Sequence, residues 1–126
     1  MKSNELMIGD WVKLSKGNWS ENRLVGLTDI EMIAESVYLA EPIPLTEEIL
    51  EKNGFSLDEY GEWYEREVSV KERNYWVNVA FRNDGVSVYD LDILTGGRSS
   101  ICIHKNYVHE LQHALRLCGI EKEIEL

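Results

Sequence analysis

The sequence predicts an α+β fold: an N-terminal set of short strands curled like an SH3-type barrel, one short middle helix, and an antiparallel β-meander packed by a C-terminal helix. Three observations predict it. Several short β-type runs crowd the first forty positions. Asn83-Asp84-Gly85 sits between two β-rich runs, where tight hairpin turns favour the positive φ that Gly, Asn and Asp tolerate. The last long segment carries apolar residues at helical spacing. At 126 residues the chain is sized for a single compact domain over 1–126, with sub-lobes 1–45 and 46–126.

In chain order, Leu6 to Leu14 reads as a strand bent at Gly9-Asp10, and Ser15 to Asn22 as a polar loop. Short β-type runs follow at Arg23 to Leu27, Ile30 to Ala34 and Val37 to Leu39. Glu41-Pro42-Ile43-Pro44-Leu45 is extended, because each proline restricts the residue before it. Thr46 then caps a helix over Glu47 to Asn53. Its hydroxyl can accept an early N–H, Glu47 and Glu48 sit at the positive end, and Gly54 suits a left-handed stop.

Trp63 to Val70, Tyr75 to Phe81 and Val86 to Leu91 read as strands, with Val77, Val79, Phe81, Val86 and Val88 on one core face. A further strand covers Ser100 to Ile103, with Ile101 and Ile103 inward and Cys102 and His104 outward. A helix over Tyr107 to Cys118 stops at Gly119, and Ile120 to Leu126 alternates like an added edge strand. On the wheel, Tyr107, Val108, Leu111, Ala114, Leu115 and Cys118 form the buried stripe, which places His109 and His113 in open solvent.

Composition narrows the function. The formal net charge of −10, from 23 acids against 13 Lys and Arg, repels phosphate backbones and argues against direct nucleic-acid binding. No run approaches a membrane span or a signal-peptide core, and two cysteines are too few for a disulfide scaffold, so a cytoplasmic, reduced protein is expected.

One motif suggests chemistry. His109-Glu110-Leu111-Gln112-His113 spells H-E-x-x-H, in which histidines four apart on a helix hold zinc and the glutamate serves as general base. The extended form of the motif fails, since Arg116 and Gly119 stand where it has Gly and a third His. Arg116 also brings a permanent positive charge beside the pair. Surface histidines on an amphipathic helix are therefore the expectation, with no metal and no cofactor. A zinc hydrolase using His109, His113 and Glu110 is the alternative.

Other constellations are weaker. Gly96-Gly97 is an isolated pair rather than a phosphate loop, and Glu65 and Glu67 share a strand face in a chain rich in acids. Trp76, Asn78, Arg82 and Tyr89 share the sheet face away from the hairpin core, a mix of residue types found at recognition hot spots. They are the candidate binding residues, for a protein partner or, as a third reading, for a small ligand or glycan. Burial of this face as a second core is the plainer structural account.

The segment Glu41-Pro42-Ile43-Pro44-Leu45-Thr46-Glu47-Glu48-Ile49-Leu50-Glu51-Lys52-Asn53-Gly54-Phe55 and the ending Tyr107-Val108-His109-Glu110-Leu111-Gln112-His113 resemble a group of small uncharacterised bacterial and phage proteins. The start, Ile8-Gly9-Asp10-Trp11-Val12, is similar to theirs as well. In that group the last helix keeps Tyr-Val-His-x-Leu-Gln while the positions of Glu110 and His113 vary, which implies that H-E-x-x-H is incidental here. The group carries no established activity. Acidic charge, the lack of a catalytic set and this resemblance together predict a non-enzymatic accessory protein of prophage or mobile-element type, acting by protein–protein contact.

Overall fold

The computed structural model describes residues 1–70, 73–80, 85–90, 99–103, 106–120 and 123–126. The chain is α+β, with one antiparallel sheet of three strands and another of five among the described residues. Its contacts divide it into two units, Met1–Pro44 with Tyr107–His109, and Leu45–Asn106 with Glu110–Leu126.

In the first unit the chain turns at Met7–Asp10, where Gly9 takes a φ of 91°. The fully buried Asp10 carboxylate accepts the Met7 N–H at 2.8 Å, and the Asp10 N–H donates to the Met7 carbonyl. Strands β1 (Trp11–Lys16) and β2 (Trp19–Leu24) then form a hairpin closed by Gly17 and Asn18, and β3 (Leu39–Pro42) pairs on the other side of β1. The expected polar loop over Ser15 to Asn22 is thus largely strand. All six residues of β2 are exposed, so it lacks the alternation by which a half-buried strand is recognised. The sheet is an open three-stranded one, not an SH3-like barrel.

A helix, α1 (Leu27–Ala34), replaces the strand expected at Ile30 to Ala34. Asp29 accepts the Gly26 N–H at 3.0 Å, which satisfies one of the orphan donors at the helix start. Val12 and Leu14 of β1 pack with Leu6, Val25, Ile33 and Ala40 as the core of this unit.

In the second unit Thr46 caps α2 (Glu47–Lys52) as expected, its Oγ1 accepting the Ile49 N–H at 3.2 Å. Five strands follow in chain order across the sheet: β4 (Ser56–Leu57), β5 (Tyr64–Val70), β6 (Arg73–Ala80), β7 (Gly85–Asp90) and β8 (Ser99–Ile103). The register sets Tyr64 opposite Val79 and Val68 opposite Tyr75, all four buried. Val77 pairs with Val88 and Val79 with Val86, which sets these four positions on one face of the sheet, as expected. Phe81, Arg82, the Asn83-Asp84 turn and His104 lie outside the described residues.

Helix α3 (Val108–Leu117) carries buried Val108, Leu111, Ala114 and Leu115, matching the expected stripe there, while Tyr107 and Cys118 are half-buried rather than core. Among the described residues after Gly119 there is no edge strand. Ile120 and Ile124 are nevertheless buried, because Asn53 fastens the tail: its Nδ2 donates to the Glu125 carbonyl at 2.6 Å and its Oδ1 accepts the Glu125 N–H at 2.8 Å.

The α-helices α1, α2 and α3 share one ending. In each, the residue after the C-cap donates to the third carbonyl back and the next residue to the fifth, the two bonds of a Schellman motif: Ser36 and Val37, Gly54 and Phe55, Gly119 and Ile120. Gly54 and Gly119 take the required positive φ, at 83° and 73°. At α1 the position is filled by Ser36, at φ 60°.

Candidate functional site

A cleft of about 290 Å³ opens in the second unit, lined by Glu47, Leu57, Tyr60, Gly61, Glu62, Trp63 and Tyr64. Its wall is the turn between β4 and β5, built around Asp58. That carboxylate accepts the N–H groups of Glu62 at 2.6 Å, Trp63 at 3.0 Å and Tyr60 at 3.3 Å. The Asp58 N–H donates to the Trp63 carbonyl, its own carbonyl accepts the Gly61 N–H, and Gly61 takes a φ of 70°. Burial pushes the Asp58 carboxyl up, but the backbone N–H groups of Trp63, Glu62, Tyr60 and Gly61 outweigh it and hold the group below the usual aspartate value. Asp58 is thereby a structural anion that organises the turn.

The aromatic side chains of the turn differ in role. Tyr60 is 74% exposed at the rim. Trp63 is half-buried, its indole N–H donating to Glu65 at 3.1 Å. Tyr64 is buried, and its hydroxyl bonds to the carboxylates of Glu51 and Glu47. Burial first, then those two negative charges and hydrogen bonds, push the Tyr64 hydroxyl above the usual tyrosine value. The phenol therefore stays a neutral donor that steadies Glu47 at the cleft edge.

The residues expected from sequence fall elsewhere. His109 is a correction: it is only 3% exposed, not in open solvent. The first turn of α3 belongs to the first unit, where the Val108 N–H donates to the Ile43 carbonyl and Tyr107 bridges to Pro44. The His109 ring stacks on Tyr107, with centroids 5.9 Å apart and planes 11° from parallel. A helical wheel takes no account of this neighbouring segment. Glu110 and His113 are half-buried in the second unit. Among the described residues no group of three or more His, Cys, Asp and Glu is placed to hold a metal ion.

On β6, Trp76 and Asn78 are half-buried, in register with Tyr89 and Ser87 of β7. The ladder thus brings three of the four candidate binding positions into adjacent rows, and Arg82 lies outside the described residues. Asn78 Oδ1 is buried with no hydrogen-bond partner among the described residues. In the first unit a second cleft, of about 460 Å³, lies between Met1–Asn4 and the segment Ile33–Ala40.

The aromatic cleft was not anticipated from sequence. Its signal was the run Asp58-Glu59-Tyr60-Gly61-Glu62-Trp63, an Asp followed by Gly within a turn's length and flanked by exposed-type aromatics. Among the described residues no helix is long and apolar enough to cross a membrane. No protein-family model matches the chain, and comparison with curated proteins and with solved structures brings out no significant similarity.

Proposed function

We propose that the protein is a non-enzymatic accessory protein that works by binding another protein, and that the cleft beside Tyr60 is where the partner touches it. The observation that carries this reading is an exposed aromatic side chain at the rim of a cleft whose wall is locked by the Asp58 hydrogen bonds. Aromatic anchors beside a recess are the usual centre of protein contacts, and a pre-ordered wall reduces the entropy lost on association. The formal charge of −10 favours a basic partner.

The test is a photo-crosslinking amino acid placed at position 60 in cells of the native host. One dominant adduct is expected, identifiable by mass spectrometry and missing when the same group replaces Glu31, an exposed position on α1. No adduct at either position, or the same set at both, overturns the reading.

A further inference from the structure

We propose that the cleft receives an arginine side chain presented by a basic segment of the partner; this rests on the reading of the cleft as a protein contact and names its chemistry. Among the described residues the lining supplies two carboxylates, Glu47 and Glu62, and no basic residue. It also supplies the rings of Tyr60 and Trp63. A cation over an aromatic face within about 6 Å is attracted by the ring quadrupole, more so as water is excluded. The planar guanidinium combines that stacking with a forked set of donors matched to carboxylates, which a lysine ammonium does not.

The acceptors keep capacity for such a ligand. Each carboxylate has about four lone-pair positions, and the Tyr64 hydroxyl shared by Glu47 and Glu51 uses a single proton. Glu62 is exposed, and its backbone N–H, not its carboxylate, bonds to Asp58. Size agrees as well. A recess of about 290 Å³ falls at the lower limit of small-molecule pockets, which run from about 300 to about 1,000 Å³. One long side chain fits it better than a folded element or a large ligand. Electrostatic complementarity between the guanidinium and an acidic rim supplies both steering and register.

The probe is the peptide acetyl-Gly-Arg-Gly-Arg-Gly-amide, titrated into isotopically labelled protein while the Gly61 amide and the Trp63 indole N–H are followed by NMR. Its control replaces arginine by citrulline, a neutral isostere. Saturable shifts at Gly61, Glu62 and Trp63 are expected, with affinity about tenfold greater for arginine than citrulline and falling with salt. Glu62→Gln and Tyr60→Ala, both at exposed positions, are expected to weaken binding about threefold or more, while Glu31→Gln, which removes the same charge from α1, leaves it unchanged.

Equal shifts with citrulline, or equal loss in Glu62→Gln and Glu31→Gln, overturn the assignment. So do concentration-dependent shifts at Gly61 without peptide, which would make a second copy the occupant. Saturable arginine binding that leaves Gly61 and Trp63 unmoved sinks the cleft alone. If no saturable complex forms with this peptide while the crosslink at position 60 succeeds, the arginine chemistry fails and the protein contact stands.

Discussion

The side-chain amide of Asn53 and the backbone of Glu125 exchange two hydrogen bonds, as two strands would, across 72 residues of sequence. The same Nδ2 also donates to the Ile49 carbonyl at 2.7 Å, so one buried side chain closes α2 and holds the tail that buries Ile124. Asn53→Ala removes all three bonds and strands polar groups of the Glu125 peptide. The expected cost is about 2–3 kcal/mol, read as a lower urea midpoint with an unchanged slope. Asn53→Asp keeps the acceptor and sets a carboxylate against two carbonyls, so it should not rescue the loss. A midpoint equal to wild type in the alanine variant would show the tie to be idle.

Asp58 gives the stability a pH signature. Its carboxyl is held below the ordinary value in the folded state, so its contribution is complete above the unfolded value of about 3.9 and is lost as pH falls through the folded value. Asp58→Asn lacks this ionisation and presents N–H groups to N–H groups. The variant is expected to be clearly less stable at neutral pH and to converge on wild type as pH drops below about 3.9. Urea midpoints across that range decide it; a constant gap would assign the effect to something other than the carboxylate.

Ser36 occupies a left-handed position that its counterparts Gly54 and Gly119 fill without a Cβ. Ser36→Gly should raise stability by about 1 kcal/mol, the scale of the penalty a side chain meets in that conformation. At Gly54 the opposite holds. An added Cβ would also meet the Arg66 guanidinium carbon at 3.3 Å, and that guanidinium donates to the Asn53 carbonyl at the helix end. Gly54→Ala should therefore cost at least as much, about 1–2 kcal/mol. Thermal unfolding of the two variants, moving in opposite directions, is the check.

The H-E-x-x-H segment makes a separable prediction. Under the protein-binding reading, protein purified without a histidine tag contains well under one equivalent of zinc, and His113→Ala leaves its thermal midpoint indifferent to chelator. Stoichiometric zinc, lost on His113→Ala, would restore the hydrolase reading with Glu110 as its base.

Much of the fold was legible because its signals are local. Thr46, Glu47 and Gly54 mark the ends of α2 within nine positions, and the alternation of the valines in β6 and β7 marks the face they share. Helix α1 was missed because Ile30, Met32 and Ile33 suit a strand as well as a helix. The deciding residue was Asp29, three positions after Gly26, where its carboxylate caps the helix from inside. The burial of His109 was illegible for a different reason. Ile43 and Pro44, distant in sequence, lie against the start of α3, and no local pattern announces them. Tyr60 and Trp63 were passed over because a turn's identity rests on which N–H groups a carboxylate gathers, and composition does not reveal that.

Among the described residues no strand pairs with the outer margin of β2, which has a consequence for behaviour in concentrated solution. Glu21 and Arg23 lie opposite Leu14 and Val12, on the side of the ribbon that a sliding strand would need dry, and Arg23 is further paired with Asp29 at 3.3 Å. A stray chain adding to that margin would have to strip water from both ions to lay down its own apolar row. The ribbon thus discourages fibrous stacking without a proline or a bulge to blunt it.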